Sequence, residues 1–427
     1  MKRITMRNLM VSISFLCVAY QSLSQGLVFK NATIHVGNGV VIENGILVTE
    51  KDKIEFVGLE KDCKIDLSAK KAIAANNSHI YPGLISLYSN AGLIEIEAVR
   101  ASADYFEIGD VNAHIRAGIA FNIDSDILPT LLSNGVLITQ VTPRGAFICG
   151  NSDVVYLNGW SVEEARIKAD EGMHINWPTF YAPNYASEEA KTEFAANRLK
   201  QLQALKQLFL EAKVYDAKLQ STANLRLESL KAIFDDKKTL YIAADQSKEI
   251  LEIISFVKEL GIKKTAIVGA QDALEVAEEM AKNDIYVILK CIHNTPPLAE
   301  SDVDYIFKLP YQLKKKGVKV ALSYSGNMES MNARNLAFLA GSAASYGLSK
   351  EEALSSITSI PAQILGLDSE IGSLQVGKQA SFVISKGDIL DMRSSKITKA
   401  FIKGQEIVLD DKQKTLNARY EAKYKLK

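Results

Sequence analysis

Between positions 240 and 323 four short apolar runs alternate with amphipathic stretches, and that alternation constrains the chain more than any other feature. The runs lie at 240–244, 265–269, 286–291 and 318–323. The stretches "SKEILEIISFVKELG" and "QDALEVAEEMAKND" space their apolar residues as helices do, and the third connection contains "DVDYIFKLPYQLKKKG". Strand, helix and parallel strand, repeated, can close as an α/β barrel or stay open as a doubly wound sheet. Four earlier runs, at 84–90, 136–141, 154–157 and 173–177, bring the count to eight. The run at 154–157 reads equally well as one strand of a hairpin.

The ends of the chain follow a different period. From Gly26 to about His79, and again in "IGSLQVGKQASFVIS" and "ITKAFIKGQEIVL", apolar and polar residues alternate in short strands. Gly37-Asn38-Gly39, Asn44-Gly45 and Asp52-Lys53 read as hairpin turns, with Gly377 and Gly404 in the same role near the other end. Two β segments flanking a long α/β middle predict one small domain built from both termini. The lysine- and glutamate-rich stretch from Glu188 to Asp236 reads as two solvated outer helices broken near Ser221-Thr222, and Ser349 with Glu352 as a capping box.

The first 24 residues read as an export signal: Lys2, Arg3 and Arg7, an apolar stretch from Leu9 to Tyr20, then Ser22-Leu23-Ser24 before Gln25. That places the protein in the periplasm or outside the cell. No later run approaches the ~20 apolar residues of a membrane helix. Removing the signal takes away three basic and no acidic residues and leaves 47 basic against 50 acidic side chains. So balanced a chain has no field to attract nucleic acid. Cys63, Cys149 and Cys291 are widely spaced and odd in number, unlike a disulfide scaffold, and read as buried thiols.

"PGLISLYSNAGL", "VALSYSGN", "NLAFLAGSAASYGLSKEEALSSITSIPAQILGL" and "IGSLQVGKQASFVIS" together resemble the amidohydrolase superfamily, in particular its imidazolonepropionase-like branch. Pro361-Ala362 with Leu365-Gly366, and Ile371-Gly372-Ser373-Leu374 with Gly377-Lys378, match that family's closing pattern, and "NATIHVGNGVVIENG" its opening. The resemblance implies a (β/α)8 barrel over 81–366 beside a composite β-sandwich from 25–80 and 367–427. It also implies a divalent metal such as zinc, held by imidazoles and carboxylates at the C-terminal ends of strands with one position open for water.

The positions that should hold the metal carry other residues. Where the first strand would end in Asp-x-His-x-His stand Ser86, Tyr88 and Asn90. The fifth strand offers Ala243 and Asp245, the sixth Gly269, and Tyr324 stands in place of the eighth-strand aspartate. A tetrahedral site needs about three protein ligands plus water. The sequence therefore predicts an inactive relative without a metal cofactor, binding a small molecule or a catalytically intact homologue, with Tyr88 and Tyr324 converging where the metal would sit. The alternative is a hydrolase of C–N bonds in cyclic amides or dipeptides, with an atypical site drawn from Asp245, Cys291 and His293 or His174. Arg144, after strand two, can meet a carboxylate or phosphate of a ligand through its planar fork, or equally pair with an acidic side chain of the insertion after strand one. His35, His79 and His114 read as structural.

Overall fold

The computed structural model describes residues 26–183, 185–219, 222–297, 300–326 and 328–425. The expected export signal lies outside them. β1 (Leu27–His35), β2 (Val41–Glu50), β3 (Lys53–Leu59), β4 (Lys71–Ala74) and β5 (His79–Pro82) form the N-terminal part of a β domain. The strands β6 (Leu84–Ser89), β7 (Val136–Val141), β8 (Ile148–Tyr156), β9 (Arg166–Asn176), β10 (Thr239–Ala244), β11 (Thr265–Gly269), β12 (Tyr286–Leu289) and β13 (Val320–Leu322) follow in chain order around a second sheet. β14 (Phe382–Ser385), β15 (Ile397–Ile402) and β16 (Gln405–Ile407) return to the first. There β14 pairs antiparallel with β5, matching Val383 with Tyr81, so the two ends of the chain share one sheet. Phe29, Phe382 and Phe401 fill its core, each pair of rings about 5 Å apart.

The second sheet is a nearly closed barrel of eight strands, covered by helices that include Glu188–Val214, Ser247–Leu260 and Tyr305–Lys315. β13 and β6 do not join by a ladder. Their seam is bridged by Ser323 Oγ, which donates to the Leu87 carbonyl at 2.7 Å, and by Ser356-Ile357, whose carbonyls accept from Leu322 N and Ile85 N. Strands such as β6, β7, β10 and β11 are buried almost throughout, which is why they read as continuous apolar runs rather than as alternation.

Of the two readings of the run at 154–157 the hairpin holds: β8 runs antiparallel to both β7 and β9, because the link from Thr142 to Phe147 is far too short for the crossover of a dozen or more residues that parallel strands require. Two expectations need correction. Asn44-Gly45 is no turn: β2 continues through it as a bulge, with Asn44 at φ +50° and Gly45 too close to Ile34 to carry a Cβ. Of the three cysteines only Cys149 is fully buried; Cys63 and Cys291 are partly exposed, and all three are unbridged. The long charged stretch does form two outer helices, Glu188–Val214 and Leu225–Phe234, and the Ser349–Glu352 capping box is present. Among the described residues no helix is long and apolar enough to cross a membrane.

Candidate functional site

The end of β6 is distorted. Between the pairs Ser86↔Thr139 and Ser89↔Val141 the strand spends one residue more than β7 does, and at this bulge Tyr88 takes φ +48°. A bulky side chain holds that conformation only where its surroundings fix it, at a cost of order 1–3 kcal/mol. Here Tyr88 N donates to Gln140 Oε1 at 2.9 Å, and the Tyr88 carbonyl accepts from Arg144 Nη2 at 2.7 Å. The Arg144 guanidinium lies over the Tyr88 ring, its Cζ 3.4 Å from the ring centroid. The same Nη2 reaches Glu329 Oε1 at 2.8 Å, and Glu329 Oε2 accepts from Gly326 N.

This cluster floors a cavity of about 260 Å³ at the barrel mouth, lined by Asn90, Ile94, Glu97, Tyr105, Arg144 and Glu329. Two residues that line this cavity carry a buried polar atom with no partner among the described residues, Asn90 Oδ1 and Arg144 Nη1; Ser325 Oγ, one residue before the lining Gly326, is a third such atom. Leaving such groups unmet costs about 1–3 kcal/mol each, so a cluster of them marks a place built to be completed.

Beneath Tyr88 a polar column descends into the barrel. His174 stacks on Tyr241 with ring centroids 4.5 Å apart, and its Nε2 lies 2.9 Å from Ser152 Oγ. Burial, and then the Arg144 charge, push the imidazole well below its ordinary range, so it is neutral. Glu171 accepts from Gln140 Nε2, Ser152 Oγ and Tyr241 Oη, yet burial still raises its carboxyl to about 7. With Ser152 donating to Glu171, the His174 Nε2–H donates to Ser152, and Nδ1 is left as a bare acceptor. Tyr88 itself is a neutral phenol, its titration raised by burial.

The other predicted residues fall elsewhere. Ser86 is buried in β6, where its carbonyl accepts from Thr139 Oγ1, and Ala243 gives its carbonyl to Trp177 N. Asp245 follows the end of β10 and lies beside Gly269, whose missing Cβ makes room for the carboxylate: one built there would lie 2.3 Å from Asp245 Oδ1. Asp245 also lies 3.7 Å from Lys290. Tyr324 does not converge on Tyr88. Its ring lies 6.4 Å from that of His293, and its hydroxyl bonds to Cys291 and Asn335. His293 Nε2 lies 2.6 Å from Ser342 Oγ on the helix Leu336–Ser345, in a separate outer groove, so the trio Asp245, Cys291 and His293 is not assembled. Among the described residues no three His, Cys, Asp or Glu side chains converge as a metal cage would require. Gln140, Ser152, Glu171, Tyr241 and Glu329 were missed by sequence reasoning; a polar residue inside an otherwise apolar strand was the available signal for Gln140.

The amidohydrolase family model matches residues 133–407, and the chain belongs to that family. Among solved structures it resembles an amidohydrolase from Thermotoga maritima MSB8 (22% identity, TM-score 0.77, 90% of this chain and 99% of that one). It also resembles molinate hydrolase (14% identity, TM-score 0.54, 91% and 95%) and the ochratoxinase of A. niger (14% identity, TM-score 0.53, 90% and 96%). At such identities the likeness is one of fold. No curated protein matches the chain.

The divalent ion that the family implies does not suit the residues present. The end of β6 offers a phenol and an amide where imidazoles are needed, and a guanidinium already covers the Tyr88 ring, so an incoming cation would meet like charge at a site without a cage of ligands.

Proposed function

We propose that this chain is an exported member of the amidohydrolase family that works by binding, taking a small polar molecule in the barrel mouth rather than hydrolysing a C–N bond. The observation that carries this reading is the pair of buried, unpartnered polar atoms on residues that line the cavity: Asn90 Oδ1 to accept and Arg144 Nη1 to donate. A pocket with a few convergent polar groups is the usual form of a small-molecule site. The basic and apolar segment at 1–24 supports export.

The test is calorimetric titration with a panel of small carboxylates, carboxamides, cyclic amides and dipeptides, each also assayed for turnover. The reading expects a panel member to bind without being consumed, and Asn90→Ala to weaken it about tenfold, one hydrogen bond's worth. Turnover of a cyclic amide or dipeptide would contradict it.

A further inference from the structure

We infer that the Arg144 guanidinium is the resident cation of the barrel mouth, standing in for the family's divalent ion, and that its free Nη1 is the point where a ligand's oxygen docks. The inference rests on the binding reading and adds what organises the site.

Four observations bear on it. Tyr88 stands at the first metal-ligand position by the sequence resemblance, and the guanidinium lies 3.4 Å over its ring, so positive charge sits at the end of β6. Its partners are the ones a bound cation would take: the Tyr88 carbonyl at 2.7 Å, the Glu329 carboxylate at 2.8 Å and the electron-rich ring face. Glu329 lies 185 residues from Arg144 in the chain, and its second carboxylate oxygen accepts from Gly326 N, a local bond that holds the acid against the guanidinium. Finally, the Arg144 side chain is only 15% exposed, yet Nη1 meets no acceptor among the described residues. A metal ion keeps one coordination position for its ligand; the fork of Arg144, a residue that lines the cavity, keeps one N–H unpaired in the same way. Unlike a metal, it cannot generate hydroxide from bound water at neutral pH.

If the cation is what the site requires, it can be removed and returned. Arg144→Ala deletes the guanidinium and leaves the Glu329 carboxylate, the Tyr88 carbonyl and the ring around a vacated space. Melting curves are recorded for wild type and Arg144→Ala with guanidinium chloride, and with urea, at concentrations too low to denature. The expected result is a lowered Tm in Arg144→Ala that guanidinium partly restores in a saturable way, with no rise from urea and none in wild type. Equal effects of guanidinium and urea on the variant would overturn the inference. Should Arg144→Ala fail to fold, Arg144→Lys and Arg144→Met decide: the charged variant must melt several degrees above the neutral one, and equal melting would overturn it. The binding reading fails separately, on turnover in the panel of amides and dipeptides.

Discussion

Arg144 lies over the ring of Tyr88 and also holds that residue's carbonyl, so one side chain fixes both the ring and the left-handed backbone of the last turn of β6. A desolvated cation–π contact of this kind contributes about 2 kcal/mol, comparable with the cost of the positive φ it accompanies. The end of β6 is therefore a built structure and not a frayed remnant of a ligand-bearing strand. Its other tether runs downward: Tyr88 N orients the Gln140 amide, and that orientation obliges Glu171 to accept from Gln140 Nε2.

Glu171 gives the column a pH signature. Its carboxyl is raised by burial from the ordinary 4.5 to about 7. Between those values the folded protein holds a proton that the unfolded chain has released, so the stability of the fold falls as pH rises. The contribution is full below about pH 4.5 and gone above about pH 7, a loss of about 3 kcal/mol at 1.36 kcal/mol per unit. Urea melts of wild type and Glu171→Gln across this range should show their stability difference shifting by that amount against wild type as pH rises. Parallel curves for the two proteins would show that Glu171 does not titrate there.

Gly269 carries a steric prediction. It sits at φ +105°, and a Cβ would fall 2.3 Å from Asp245 Oδ1. Gly269→Ala should cost roughly 1–3 kcal/mol through backbone strain, with the clash added. Removing the carboxylate with Asp245→Ala should return the clash part, so a double-mutant cycle should show a coupling of about 0.5 kcal/mol or more. Strict additivity would mean that Asp245 moves aside freely.

Much of the fold was legible because barrel strands buried on both faces stay apolar along their length, and all eight runs fall on strands of the barrel. The direction of β8 was left open between a parallel barrel strand and a hairpin, although the short link "TPRGAF" carries the turn residues that made a crossover impossible. Tyr88, Asn90, Arg144 and His174 could be named from motif position. Glu329 could not, since it lies 185 residues from Arg144 and no local pattern announces the pairing. Tyr324 was misjudged for a related reason: strand position fixes where its Cα lies but not which neighbours its ring meets, here His293 and Cys291.

The central claim is that this barrel mouth is organised without a divalent ion. It is tested most directly by metal content measured together with thermal stability. A native catalytic ion would stabilise the fold by about 4 kcal/mol at a thousandfold saturation, so stripping it would lower the Tm by several degrees and zinc would restore it. The account predicts less than one equivalent of tightly bound transition metal per chain, and one melting curve for the protein as purified, after chelator and after added zinc. Stoichiometric zinc or iron surviving dialysis, with a melt that chelator lowers and zinc restores, would contradict it.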